Sequence, residues 1–141
     1  MKWIILANTN DCRIYYYDKK SDIRLYKEIN HPENKLKNQD LETDKPGRYH
    51  VRGLGHGAFE EENTAIEHNI DKFAHEIAEE LESANKHNQY DTVTLIMPSQ
   101  FYGLVHSHLS KQVEGKIKQV LQKNIMNWPE HELALYLKEV G

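Results

Sequence analysis

Apolar positions gather in short runs at the two ends of the chain, separated by a long polar stretch. Trp3 to Ala7 (WIILA) is nearly continuous and too short to stand alone as a helix, so residues 2 to 8 are expected as a strand buried on both faces. Arg13 to Tyr17 (RIYYY) is rich in strand formers, Asp18 to Asp22 (DKKSD) carries turn chemistry, and residues 23 to 29 alternate. Three strands in an antiparallel meander follow from that pattern. Ile66, Ile70, Phe73, Ala74, Ile77, Ala78, Leu81 and Ala84 then recur at three- and four-residue steps, which predicts an amphipathic helix from Thr64 to Lys86. Asn63 or Thr64 suits its N-cap, and Lys86 and His87 suit its C-terminal end. Val93 to Met97 (VTLIM) has strand length, and Pro98 ends it before a helix over Ser99 to Leu109. Ile117 to Leu121 fits a strand or a helix. Trp128-Pro129 puts a proline at the first position of a C-terminal helix lined by Leu133, Leu137 and Val140.

Between the third strand and the long helix lie residues 31 to 63, a polar stretch with no apolar period and four glycines in its second half. The spacing predicts a long loop there, of a length that is usually functional. Three antiparallel strands, then a helix, a strand, a helix, a strand and a helix, form an α/β single domain over residues 1 to 141. That order resembles the ribonuclease-H-like mixed sheet. A chain of 141 residues is long enough to bury its own core.

Composition narrows the function classes. MKWIILA is interrupted by Asn8 to Asp11 before a signal-peptide core or membrane span could form, so a soluble, cytoplasmic protein without membrane insertion is expected. Cys12 is the one cysteine, which excludes an internal disulfide and a thiolate zinc cage and suits a buried structural residue. The net charge of −4 argues against indiscriminate nucleic-acid binding. Residues 1 to 58 hold eleven Lys/Arg against eight Asp/Glu, and residues 59 to 90 hold two against nine, so the loop sits where basic sequence meets acidic sequence.

Metal and nucleotide chemistry fail on spacing. A nuclease on this architecture needs carboxylates on the first strand, the long helix and the fourth strand, yet only Glu67 on the helix is offered. His106 and His108 would point about 200° apart on a helix, and His68 and His75 lie seven apart. Gly53-Leu54-Gly55-His56-Gly57 matches neither the dinucleotide nor the phosphate-loop pattern. No metal and no cofactor is expected.

Several motifs carry a family resemblance. Trp3 to Tyr16, His31-Pro32-Glu33-Asn34-Lys35-Leu36, Asp40 to Arg48 (DLETDKPGR), Glu67-His68-Asn69 with Phe73-Ala74, and Pro98 to Leu104 (PSQFYGL) resemble the bacterial host attachment protein family over nearly the whole chain. The resemblance implies a strand for Ile117 to Leu121. That family is in turn similar to the middle domain of archaeal and eukaryotic peptide-chain release factors, whose long loop bears Gly-Gly-Gln at its tip. Arg52 to Gly57 occupies the similar place here without a Gly-Gly pair or a glutamine, so ester hydrolysis is not implied.

The loop's expected contacts come from Lys35, Lys37, Lys45, Arg48 and Arg52 as cations for phosphates, Tyr49, His50 and His56 as stacking or hydrogen-bonding groups, and Gly53, Gly55 and Gly57 as points of close approach. The resulting expectation is a ribosome- or tRNA-associated protein acting through this Gly-rich basic loop without catalysis. An alternative is a protein-interaction factor in host-cell or surface attachment, using the same loop on a protein partner. A second alternative is an ester hydrolase with His56 as general base, for which no nucleophile or orienting acid is identifiable. The oligomeric state is left open by the sequence.

Overall fold

The computed structural model describes residues 1–18, 22–34 and 45–141, the side chains of 45–64 excepted. Five strands form one mixed sheet: β1 (Lys2–Ala7), β2 (Asp11–Tyr17), β3 (Arg24–Asn30), β4 (Thr92–Ile96) and β5 (Ile117–Leu121), in the spatial order β3-β2-β1-β4-β5. β1 pairs antiparallel with β2, and β2 with β3, while β4 runs parallel to both β1 and β5. The meander and the two later strands match the sequence expectation within about two residues at each end, the usual spread for such boundaries.

β1 is central and buried on both faces, as its continuous apolar run requires. Trp3, Ile5 and Ala7 enter one core cluster, and Ile4 and Leu6 enter the other. The first cluster is roofed by α1 (Lys45–Lys86) and α2 (Ser99–Ser107), through Phe73, Ala74, Ile77, Leu81, Phe101 and Val105. The second is closed by α4 (Glu130–Val140), through Leu133 and Leu137. Tyr90 closes one end of the first cluster, donating from its hydroxyl to the Leu81 carbonyl at 2.9 Å. Burial and the nearby Glu82 push its pKa up to about 12. Between α2 and β5 lies one further turn, α3 (Lys111–Glu114), absent from the sequence expectation. Ser110 caps it by accepting from the Val113 amide at 3.2 Å.

The largest departure from expectation is the start of α1. Residues 31–63 were expected as a loop and the helix from Thr64, but the helix begins at Lys45 and runs for 42 residues. Residues 35–44 of that expected loop lie outside the described residues. Gly47, Gly53, Gly55 and Gly57 each cost a helix roughly 1 kcal/mol against alanine, which is why the stretch reads as a loop. Extending a formed helix needs no new nucleus, however, and Pro46 sits in the first turn, where its missing N–H has no intrahelical partner to lose. The other end follows expectation. Asn88, with φ of 53°, takes the left-handed position after Lys86, and the amides of Asn88 and Gln89 return to the carbonyls of Asn85 and Ala84.

Two smaller corrections concern helix ends. Pro129 is the N-cap of α4 rather than its first residue, and α2 stops at Ser107, two residues short of Leu109. A bulge in β3 also matters. Ile14 pairs with Lys27 and Tyr15 with Leu25, so Tyr26 is the extra residue. Tyr26 stacks on Trp3 with ring centroids 5.5 Å apart, and Lys27 pairs with Glu80 of α1, so both lie on the α1 face. Leu25 is left facing the α4 side.

Candidate functional site

The residues singled out in the sequence do not converge in a described pocket. Lys35 and Lys37 fall in the undescribed 35–44 segment. Lys45, Arg48, Tyr49, His50, Arg52, Gly53, Gly55, His56 and Gly57 lie on the N-terminal half of α1, where the backbone is described and the side chains are not. These positions thereby lie on a helix segment in place of a glycine-rich loop tip. Positions 45, 48, 49, 52 and 56 are separated by helical steps and follow one stripe, which a loop reading does not reveal. At 42 residues the helix is about 63 Å long, whereas strands of five to seven residues span roughly 16 to 24 Å, so α1 outruns the sheet it covers.

Where α1 meets the end of β3, a polar corner forms that sequence reasoning missed. The His31 amide donates to the Asn10 carbonyl at 2.6 Å, fixing the turn out of β3. Its ring then lies between two carboxylates, with Nδ1 3.0 Å from Glu33 and Nε2 3.0 Å from Glu76 of α1. The ring meets Phe73 edge-on at 4.8 Å. Both nitrogens can donate only from the imidazolium form. Burial pulls the His31 pKa down, but the hydrogen bonds to Glu76 and Glu33 outweigh it and hold the pKa above its ordinary value. A cavity of about 230 Å³ beside the ring is lined also by Asn69 and Lys72.

The other flank of α1 is tied by a second set of histidines. His108 reaches Asp71 at 3.0 Å and stacks on His75 with centroids 4.8 Å apart, while His106 reaches Glu114 at 2.9 Å. The two imidazoles of the HxH motif thus go to different partners, and only His106 is on the helix, His108 being the residue just past its end. Among the described residues, no three His, Cys, Asp or Glu side chains converge as a metal site would need. Cys12 is fully buried, and burial, with Glu80, Glu76 and Asp11 adding to it, pushes its thiol far up, so it stays protonated.

On the opposite side of the sheet an open groove of about 550 Å³ runs between α4 and the outer face of β2 and β3. Tyr15, Ile23 and Leu25 form its floor, and Leu133, Ala134 and Leu137 its wall. Met126 and Trp128 close one end, with Trp128 40% exposed and its ring 5.3 Å from that of Tyr136. Arg13 pairs with Glu28 at 3.1 Å on the floor, and Lys138 pairs with Asp22 at 3.5 Å at the rim. Glu130, also on the rim, forms no salt bridge with another described residue. The sequence held one signal for this groove. Leu25 and Tyr26 are adjacent large apolar residues, of which an extended strand puts one on each face, and the bulge at Tyr26 decides that Leu25 is the one on the groove side.

Residues 3–137 match the family described as "protein required for attachment to host cells". The chain belongs to that family. The host-attachment match runs from β1 into α4 and so takes in the sheet, the whole of α1 and the groove. No curated protein matches the chain. No described helix is long and apolar enough to cross a membrane.

Proposed function

We propose that this host-attachment family member acts in attachment by contacting a protein partner through the N-terminal half of α1, over Lys45 to Gly57. The carrying observation is the family match over residues 3–137. The helical placement of Lys45, Arg48, Tyr49, Arg52 and His56 along one stripe supports a contact face of cations and aromatic rings on a helix that outruns the sheet. Lys35 and Lys37 precede it in the chain and add to the same basic charge. The expected contact with the ribosome or tRNA finds no support in the family match, and ester hydrolysis through His56 gains none from a helical segment. The sheet order β3-β2-β1-β4-β5, with its antiparallel half and its parallel half, supports a ribonuclease-H-like reading of the fold and, through it, the likeness to the release-factor middle domain.

The test is adhesion of the organism to its host cells with the gene deleted, restored, and restored as the double variant Arg48→Glu, Arg52→Glu. Deletion is expected to lower adhesion, the unaltered gene to restore it, and the double variant to fail while its protein accumulates normally. Unchanged adhesion on deletion overturns the attachment reading. Full restoration by the double variant overturns the stripe as the contact.

A further inference from the structure

Among the described residues, the groove beside α4 is a helix position of the α/β layer that no element fills. On the α1 face, helices lie over the sheet from β1 outward, and Lys27 of β3 is itself held to α1. On the other face α4 packs over β1 and β4 through Ile4, Leu6 and Ile96, and nothing described covers β2 and β3. Two strands are about 9.6 Å wide, and an α-helix with its side chains about 10 Å, so the uncovered strip has the width of one helix laid alongside α4. Its floor is open and carries an apolar patch beside the Arg13–Glu28 ion pair: Leu25 is 52% exposed, and Tyr15 and Ile23 are only partly buried. We infer that this groove receives one amphipathic helix from a partner protein, whose aliphatic stripe lies on Tyr15, Leu25 and Ala134 and whose Lys or Arg meets Glu130.

Three observations select that occupant. The strip is seven residues long on each strand, roughly 24 Å, so its flat area is near 230 Å². A stable dimer buries about 800 Å² per partner, so the strip alone is too small for a second copy and suits a helix of about 16 residues. An added strand at the β3 edge is disfavoured, because the bulge at Tyr26 breaks the ladder register and Arg24, Lys27 and Glu28 line that strand. Charge sets the remaining feature. Arg13 with Glu28 and Lys138 with Asp22 satisfy one another, leaving Glu130 as the rim charge without a salt bridge among the described residues, and so the one that suits a cation.

This inference does not rest on the attachment reading, and its test is made on the isolated full chain. Random peptides of about 16 residues displayed on phage are selected for binding to the protein, then synthesised and titrated against the wild type, Leu25→Glu, Ala134→Glu and Glu130→Lys. Leu25 and Ala134 are exposed, and unchanged urea midpoints confirm that each variant folds. The selected peptides are expected to carry apolar residues at three- and four-residue steps with a flanking Lys or Arg, and to quench or shift Trp128 emission. Binding should weaken at least about tenfold in Leu25→Glu and Ala134→Glu, and Glu130→Lys should favour acidic over basic flanks. Peptides with two-residue alternation, peptides indifferent to these substitutions, or no selected peptide at all overturn the proposal. So does a dimer in solution that Ala134→Glu dissociates, since the groove would then belong to a second copy.

Discussion

On one face of the sheet α1 and α2 close over Trp3, Ile5, Ile14, Leu95 and Phe73 until each is at most 3% exposed, whereas on the other face α4 seals only β1 and β4 and leaves β2 and β3 open. A single strand can serve both faces, since β2 supplies Ile14 to the closed face and Tyr15 to the open one. What differs is the number of helices available. A sheet five strands wide spans about 19 Å between its outer strands, roughly two helix diameters, and a single helix can dry only half of it. The closed face therefore carries the larger share of stability, and the other is left uncovered over β2 and β3 by the described elements.

The sharpest way to break that division is to cut the closed core. Phe73→Ala removes a side chain 1% exposed that touches both Phe101 and His31, and should cost about 3 to 5 kcal/mol by transfer and cavity terms. Urea unfolding measures it through the midpoint. A loss below about 1 kcal/mol would mean that α1 is not the main roof. Cys12 gives a companion test on the same face, because a buried, protonated thiol should resist alkylation in the native protein and react on unfolding. Rapid native labelling would contradict the packing of β2 against α1.

The half-sealed face should respond less. Leu137→Ala on α4 removes a side chain 2% exposed, but one that stands beside the open groove, where neighbours and water can relax into the space. We expect about 2 to 3 kcal/mol, the low end for leucine truncation, by the same denaturation measurement. A cost above that for Phe73→Ala would reverse the ranking of the two faces.

The unequal coverage was only partly legible in the sequence. The run Trp3 to Ala7 announced a strand buried on both faces, and the three- and four-residue steps from Ile66 to Ala84 announced the packed half of α1. Periodicity failed at Lys45 to Asn63, where glycines mask a helix that continues from a nucleus supplied elsewhere. Of the proposed contact residues, none lies in a described pocket, and in the corner found by geometry His31 and Glu33 are two residues apart while Glu76 is 45 residues from His31. Spacing rules see neighbours on one element. They do not see that the end of β3 comes to rest against α1 at residue 76.

That corner supplies a smaller prediction about how the closed face is fastened at its edge. The His31 pKa is raised in the folded protein, so its stabilising contribution is complete below the unfolded value near 6.5 and is lost as pH rises through the folded value. The side chains are 33%, 52% and 45% exposed for His31, Glu33 and Glu76, and solvent screening holds the effect under about 1 kcal/mol. Glu76→Gln should lower the His31 titration midpoint seen by NMR and flatten the decline in stability above neutrality. An unchanged midpoint would show that the ring is not bridged to α1.

The smallest expected effect bears most directly on the open face. Leu25→Glu places a charge at a position 52% exposed, on an edge strand beside Arg13, and should change stability by no more than about 0.5 kcal/mol. The comparison is informative because the same substitution at any core position of β1 would bury an unpaired carboxylate and unfold the protein. A loss of several kcal/mol at Leu25 would mean that the groove is filled by the chain itself. A near-zero change, set against the cost of Phe73→Ala, would leave an apolar strip on the sheet that folding does not need, and a surface that folding does not need is free to serve a partner.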